Sequence, residues 1–213
     1  KGSIFKATVS RVETSLDAAF VNFGSERHGF LPLKELSNKY FTKDADGKKK
    51  CTLKEGDEIL IQVLKEERGT KGAALSNQIS LAGRFIVLIP NSEKSGGVSR
   101  RISGEERDEI KNALNALQIP DGMSVIVRTA GLGRSTEELK WDLDYLMNLW
   151  GQIKSSVTEA PSPSLIYKDD KLILRVFRDY FRDDIEEILI DDKDIHSEAL
   201  DFAKSVIPDH ADK

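Results

Sequence analysis

The chain changes its hydrophobic period as it runs. Over residues 1–82, apolar and polar positions alternate in short runs broken by turn residues, which is the signature of strands. Residues 4–12 and 18–23 are β-prone, and residues 29–31 make a third short piece. Residues 59–64 alternate after the turn Glu55-Gly56-Asp57, and residues 73–81 follow Arg68-Gly69-Thr70-Lys71-Gly72. Five short strands in this span suit a small closed barrel, which removes the exposed edges that an open sheet would leave.

From residue 83 the period lengthens. Residues 85–89 are an apolar run ended by Pro90. Ser103 with Glu106 forms a capping box before a helix whose Ile110, Ala113, Leu114 and Leu117 fall on one face. Pro120-Asp121-Gly122 is a turn and residues 124–129 a strand. Ser135 with Glu138 then caps a long helix with Leu139, Leu143, Leu146, Trp150 and Ile153 on one side. That helix must stop before Pro161 and Pro163, because proline cannot donate a backbone hydrogen bond and restricts the residue before it. Together these elements predict a compact α/β unit. Beyond it come residues 165–167, a helix carrying Ile173, Val176, Phe177, Tyr180 and Phe181 on one face, a strand over residues 185–190, and a last helix near residues 197–206.

Composition narrows the class. No apolar run approaches the roughly 18 residues that a membrane span needs, and the N-terminus lacks a signal pattern, so a cytoplasmic address is expected. Cys51 is the one cysteine, which supports neither an internal disulfide nor a cysteine-based zinc site. The net charge of −4 hides an uneven distribution. Residues 1–82 carry fourteen Lys and Arg against eleven Asp and Glu, whereas residues 183–213 carry three against eleven, so a polyanion can still be held by the earlier segments. The chain opens at Lys1 without a methionine and reads as a piece of something longer.

Two constellations could carry chemistry. Phe20 and Phe30 fall on adjacent predicted strands, and with Lys71 on a loop they would offer bases a stacking surface and phosphates a positive charge. The competing reading is that both phenylalanines are core. His28 reads as a turn residue, and residues 43–50 (KDADGKKK) as a solvated basic loop, with an RNA clamp as the alternative. In the second segment, residues 125–135 run strand, glycine turn, helix start. Exposed amides at that helix N-terminus, the Arg128 guanidinium and the Thr129 hydroxyl would suit an anion. A dinucleotide-binding pattern is incomplete here, since its third glycine would fall at Thr136, and a plain structural turn remains open.

Taken in order, SRVETSLDAAFVNFGSERHGFLPLKEL, EERGTKGAALSNQISLAGRFIVLIPN, GGVSRRISGEER, VRTAGLGRS and FRDYFRDDIEEILID resemble the ribonuclease E/G family from about residue 3 to residue 192. The resemblance implies an α+β chain: an S1 domain, a five-stranded OB-fold barrel, over residues 1–82, an α/β 5′-sensor domain over 83–174, and part of a ribonuclease-H-like subdomain over 175–213. It implies RNA contacts at Phe20, Phe30 and Lys71, and a 5′-monophosphate pocket at Arg128, Thr129, Gly83 and Val87. The family's magnesium-binding carboxylates, its zinc-linking cysteines and a further phosphate-binding arginine lie downstream. No catalytic residue, metal ligand or cofactor is therefore expected within these 213 residues, which alone should be inactive and monomeric, while the parent enzyme would be a homo-oligomer using magnesium and zinc. The partner implied is single-stranded RNA with a 5′ monophosphate, and the activity is cleavage of mRNA and of rRNA and tRNA precursors. Two other readings stay open from the residues alone: an S1-type RNA-binding factor without end sensing, and a nucleotide-binding α/β protein using the Gly131 turn.

Overall fold

The alternating first segment forms the strands that its period predicts. A computed structural model describes residues 1–43, 49–92, 97–98, 104–169, 172–182 and 184–213. Strands β1 (Ile4–Glu13), β2 (Ala18–Asn22), β3 (Gly29–Pro32), β4 (Phe41–Lys43), β5 (Lys49–Cys51), β6 (Glu58–Lys65) and β7 (Ala74–Ser76) lie in the first unit, which comprises Lys1–Ser80, Pro90–Glu93 and Gly151–Asp169. Hydrogen bonding runs β1-β2-β3-β7-β6 and returns from β6 to β1, so five strands close on themselves. β3 and β7 pair parallel and the other neighbours antiparallel. The inward set, Ala7, Val9, Ala19, Val21, Leu31, Ile59, Ile61 and Leu75, is fully buried, as period-2 alternation requires. β4 and β5 form a separate hairpin; residues 44–48 of the predicted basic loop lie outside the described residues.

One strand joins this barrel from far along the chain. β1 pairs with β6 from Ile4 and with β2 only from Thr8, which leaves one edge of its first residues open. Ser164–Tyr167 fills that edge, antiparallel, with Ile4 opposite Tyr167. Nearby, Lys6 Nζ donates to the Ala160 carbonyl at 3.0 Å, and the Thr8 and Ser162 hydroxyls bond at 2.8 Å. Sequence reading groups these residues with the α/β segment; their backbone instead belongs to the barrel sheet.

The second unit comprises Leu81–Ile89, Lys94–Trp150 and Asp170–Lys213. Its sheet orders β10 (Gly97–Val98), β11 (Ser124–Val127), β9 (Ile86–Ile89) and β8 (Leu81–Ala82). Helices α1 (Glu105–Ala116), α3 (Leu172–Tyr180) and α4 (Lys193–Val206) lie in this unit, and α2 (Thr136–Glu159) does so up to Trp150. The five apolar residues predicted on the face of α2 are all buried, and the helix ends before Pro161. Ser135 and Glu138 make the predicted capping box, with Glu138 N donating to Ser135 Oγ and Ser135 N to Glu138 Oε2. At α1 the N-cap is Gly104, without a side-chain cap; Ser103 lies outside the described residues.

Two expectations need correction. Residues 185–190 are not a strand: Leu189 is 83% exposed, and the Ile188 amide donates to the Lys213 carbonyl. β-prone residues make a strand only where a partner edge is available. The apolar face of α3 is also narrower than its spacing suggests. Phe177 and Phe181 are buried, but Val176 is exposed and Tyr180 is 72% exposed.

Candidate functional site

On the barrel, Phe20 and Phe30 sit directly opposite one another on β2 and β3. Their ring centroids are 6.0 Å apart in an edge-on arrangement. Phe30 is 37% exposed and Phe20 half-buried, whereas Phe5 and Phe23 pair edge-on against the core. Two phenylalanines therefore serve the interior and two keep a face toward water. Arg11, opposite Phe20 on β1, places its guanidinium carbon 5.1 Å from the Phe20 centroid, adding a cation to the aromatic pair. Lys71 is exposed on a turn closed by reciprocal backbone bonds with Arg68. That turn is tied to the barrel where the Arg27 guanidinium donates to the Gly69 carbonyl and the Phe30 amide to the Ala73 carbonyl. His28 stays exposed.

In the second unit the site is built around the turn between β8 and β9. Asp142, from the buried face of α2, accepts the backbone amides of Arg84, Phe85 and Ile86 at 3.1, 2.8 and 2.9 Å. With those amides turned toward Asp142, the Gly83 and Arg84 carbonyls face Arg128, whose Nη1 donates to them at 2.6 and 3.1 Å. Arg128 Nη2 pairs with Asp179 Oδ1 of α3 at 2.7 Å. Gly83 is required here: a Cβ would meet the Asp142 carboxylate at 2.4 Å. Gly131 is equally constrained, since a Cβ there would come within 3 Å of Val127 Cγ1 and of the Phe85 carbonyl.

The structure thus joins Arg128 to Gly83 by a hydrogen bond. Thr129 follows, exposed, at the start of a short 3₁₀ turn, Thr129–Gly131, whose Gly131 is buried. Val87 is half-buried on β9 opposite Ile126, and the side-chain hydrogen bonds of Arg128 go to Gly83, Arg84 and Asp179. The helix start that the sequence offers to an anion is answered internally, since Glu138 brings its own carboxylate to the Ser135 amide and pairs with Arg134 at 3.1 Å.

Electrostatics separate the two aspartates. Burial pushes the Asp142 carboxyl above its ordinary range, outweighing the three amides and the nearby Arg128 charge. For Asp179, burial also works against ionisation, but the Arg128 hydrogen bond and the charges of Arg178 and Arg128 together hold its carboxyl below the ordinary range. Sequence reasoning overlooked Asp142, Asp179 and Arg11. Asp142 did leave a signal: a carboxylate three residues after Leu139 lies on the face that the apolar spacing assigns to the interior. Among the described residues no group of three or more His, Cys, Asp and Glu is placed to hold a metal ion, and no helix is long and apolar enough to cross a membrane.

Comparison with known proteins gives this geometry a context. Residues 1–77 match the model of the S1 RNA binding domain, and residues 80–213 match that of the ribonuclease E/G family. The chain is 50% identical over 213 residues to ribonuclease E of Haemophilus influenzae, covering 98% of this chain and 23% of that protein. It is 52% identical over 195 residues to ribonuclease E of Escherichia coli, covering 90% of this chain and 18% of that protein. Ribonuclease G of Haemophilus influenzae is 34% identical over 219 residues, covering all of this chain and 44% of that protein. The chain therefore spans about a fifth of the length of the first two relatives.

Proposed function

This chain belongs to the ribonuclease E/G family, and from that premise we propose that it is the RNA-gripping part of an endoribonuclease, selective for a 5′-monophosphorylated end. Single-stranded RNA lies on the Phe20 and Phe30 face with Lys71 on its phosphates, and the terminal phosphate is taken by Arg128 and Thr129 beside Gly83 and Val87. In the parent enzyme this engagement promotes cutting of mRNA and of rRNA and tRNA precursors, which are cytoplasmic substrates. Magnesium and zinc belong to other residues of the parent, and no step of the cleavage is assigned to a residue of this chain.

The observation that carries this reading is the seating of Arg128. Two carbonyls fix Nη1, so the guanidinium plane is set before a ligand arrives and little side-chain freedom remains to be lost. A fixed planar donor beside an exposed hydroxyl suits a terminal phosphate. The test is equilibrium binding of a short single-stranded RNA, labelled at its 3′ end and bearing either a 5′ monophosphate or a 5′ hydroxyl. The wild-type chain should prefer the monophosphate, and Arg128→Ala should lose that preference at a cost of about 1.5 to 3 kcal/mol. Equal binding of both ends by the wild type would favour an S1-type module without end sensing.

A further inference from the structure

Arg128 already holds an anion. Its Nη2 meets the Asp179 carboxylate at 2.7 Å, while Nη1 is committed to the Gly83 and Arg84 carbonyls. Asp179 is not there by chance of a loose side chain. It lies on α3 between Phe177 and Phe181, both buried, whose rings stack at 5.9 Å and so anchor the end of that helix. Arg178 secures it again, with Nη1 donating to the Ala82 carbonyl and Nε 3.4 Å from Asp179 Oδ1. The carboxylate is thus delivered to the one guanidinium on which the proposed end recognition depends.

We propose that Asp179 is a specificity-determining residue of the Arg128 pocket: its carboxylate stands in for the terminal phosphate and competes with it, setting how strongly a phosphorylated end is preferred. The inference rests on Arg128 being a 5′-phosphate ligand. Charge and exposure make the exchange feasible. A 5′ monophosphate carries about −1.5 to −2 near neutral pH against −1 for a carboxylate, so it is the stronger partner for one guanidinium. Arg128 and Asp179 side chains are 28% and 31% exposed, so water reaches the pair, and it is not the deeply buried kind whose opening would strand a charge. The two carbonyls on Nη1 keep the guanidinium in place while its other partner is exchanged.

The experiment compares wild type, Asp179→Asn and Asp179→Glu, using the full chain and cleavage-resistant 2′-O-methyl oligonucleotides with a 5′ monophosphate or a 5′ hydroxyl. Asparagine keeps the shape and removes the charge, so Asp179→Asn should tighten monophosphate binding about three- to tenfold and leave hydroxyl binding unchanged. Asp179→Glu keeps the competitor and should stay near wild type. A gain in affinity cannot come from a misfolded variant. Weaker or unchanged monophosphate binding in Asp179→Asn, with the wild-type preference intact, overturns the competitor role and leaves the end-sensing reading standing. If neither wild type nor Asp179→Asn distinguishes the two ends, both fall together.

Discussion

Asp142 is a carboxylate placed where its helix should carry an apolar side chain, and its chemistry follows from that position. Three amides converge on it and Gly83 has no room for a Cβ beside it, so the turn that orients Arg128 is shaped around this one side chain. Burial raises its pKa in the folded state above the ordinary 3.8. Below that ordinary value both folded and unfolded chains carry the protonated form. As pH climbs from there toward the raised folded value, the unfolded chain ionises first and is favoured, so stability supplied by the neutral form is lost. Asp142→Asn does not titrate. Urea midpoints measured from about pH 4 to neutrality should therefore show wild-type stability falling relative to Asp142→Asn as pH rises. The opposite slope would mean that the three amide bonds outweigh burial.

At the scale of elements, the parts legible in the sequence are those fixed by near neighbours. The Ser135 and Glu138 box spans four residues and forms as read, and the apolar face of α2 is buried at every predicted position. Ser135→Ala should cost about 0.5–2 kcal/mol in thermal or denaturant unfolding, because the Glu138 amide loses its acceptor. No change would mean that water replaces the hydroxyl without loss. What the sequence hid depends on distant partners. The strand Ser164–Tyr167 exists because β1, near the start of the sequence, leaves an edge open, and residues 185–190 carry the β-prone Ile185, Ile188 and Ile190 but form no strand. Arg128 was legible from its strand, turn and helix context, while its partner Asp179 sits 51 residues on, where no local pattern links the two. The phenylalanines divide likewise: only closure of the barrel decides that Phe5 and Phe23 face inward while Phe20 and Phe30 keep a face outward.

For the molecule as a whole, the barrel face and the Arg128 pocket lie in separate compact units, so their contributions to RNA binding should separate by physical type. Stacking on Phe20 and Phe30 is a contact between ring faces and displaces few ions, whereas each phosphate held by a cation releases counterions. Phe30→Ala should therefore weaken binding of a short single-stranded RNA by about 1–3 kcal/mol per base that it stacks, equally for both kinds of 5′ end. A plot of log affinity against log salt should shift downward without changing slope. Lys71→Ala should do the reverse, making the slope shallower by about 0.7, the value for one phosphate contact on a single strand. Arg128→Ala should act on the monophosphate RNA alone. A Phe30→Ala variant that binds as the wild type does, at every salt concentration, would remove the aromatic pair from the interface and leave the barrel holding RNA by charge.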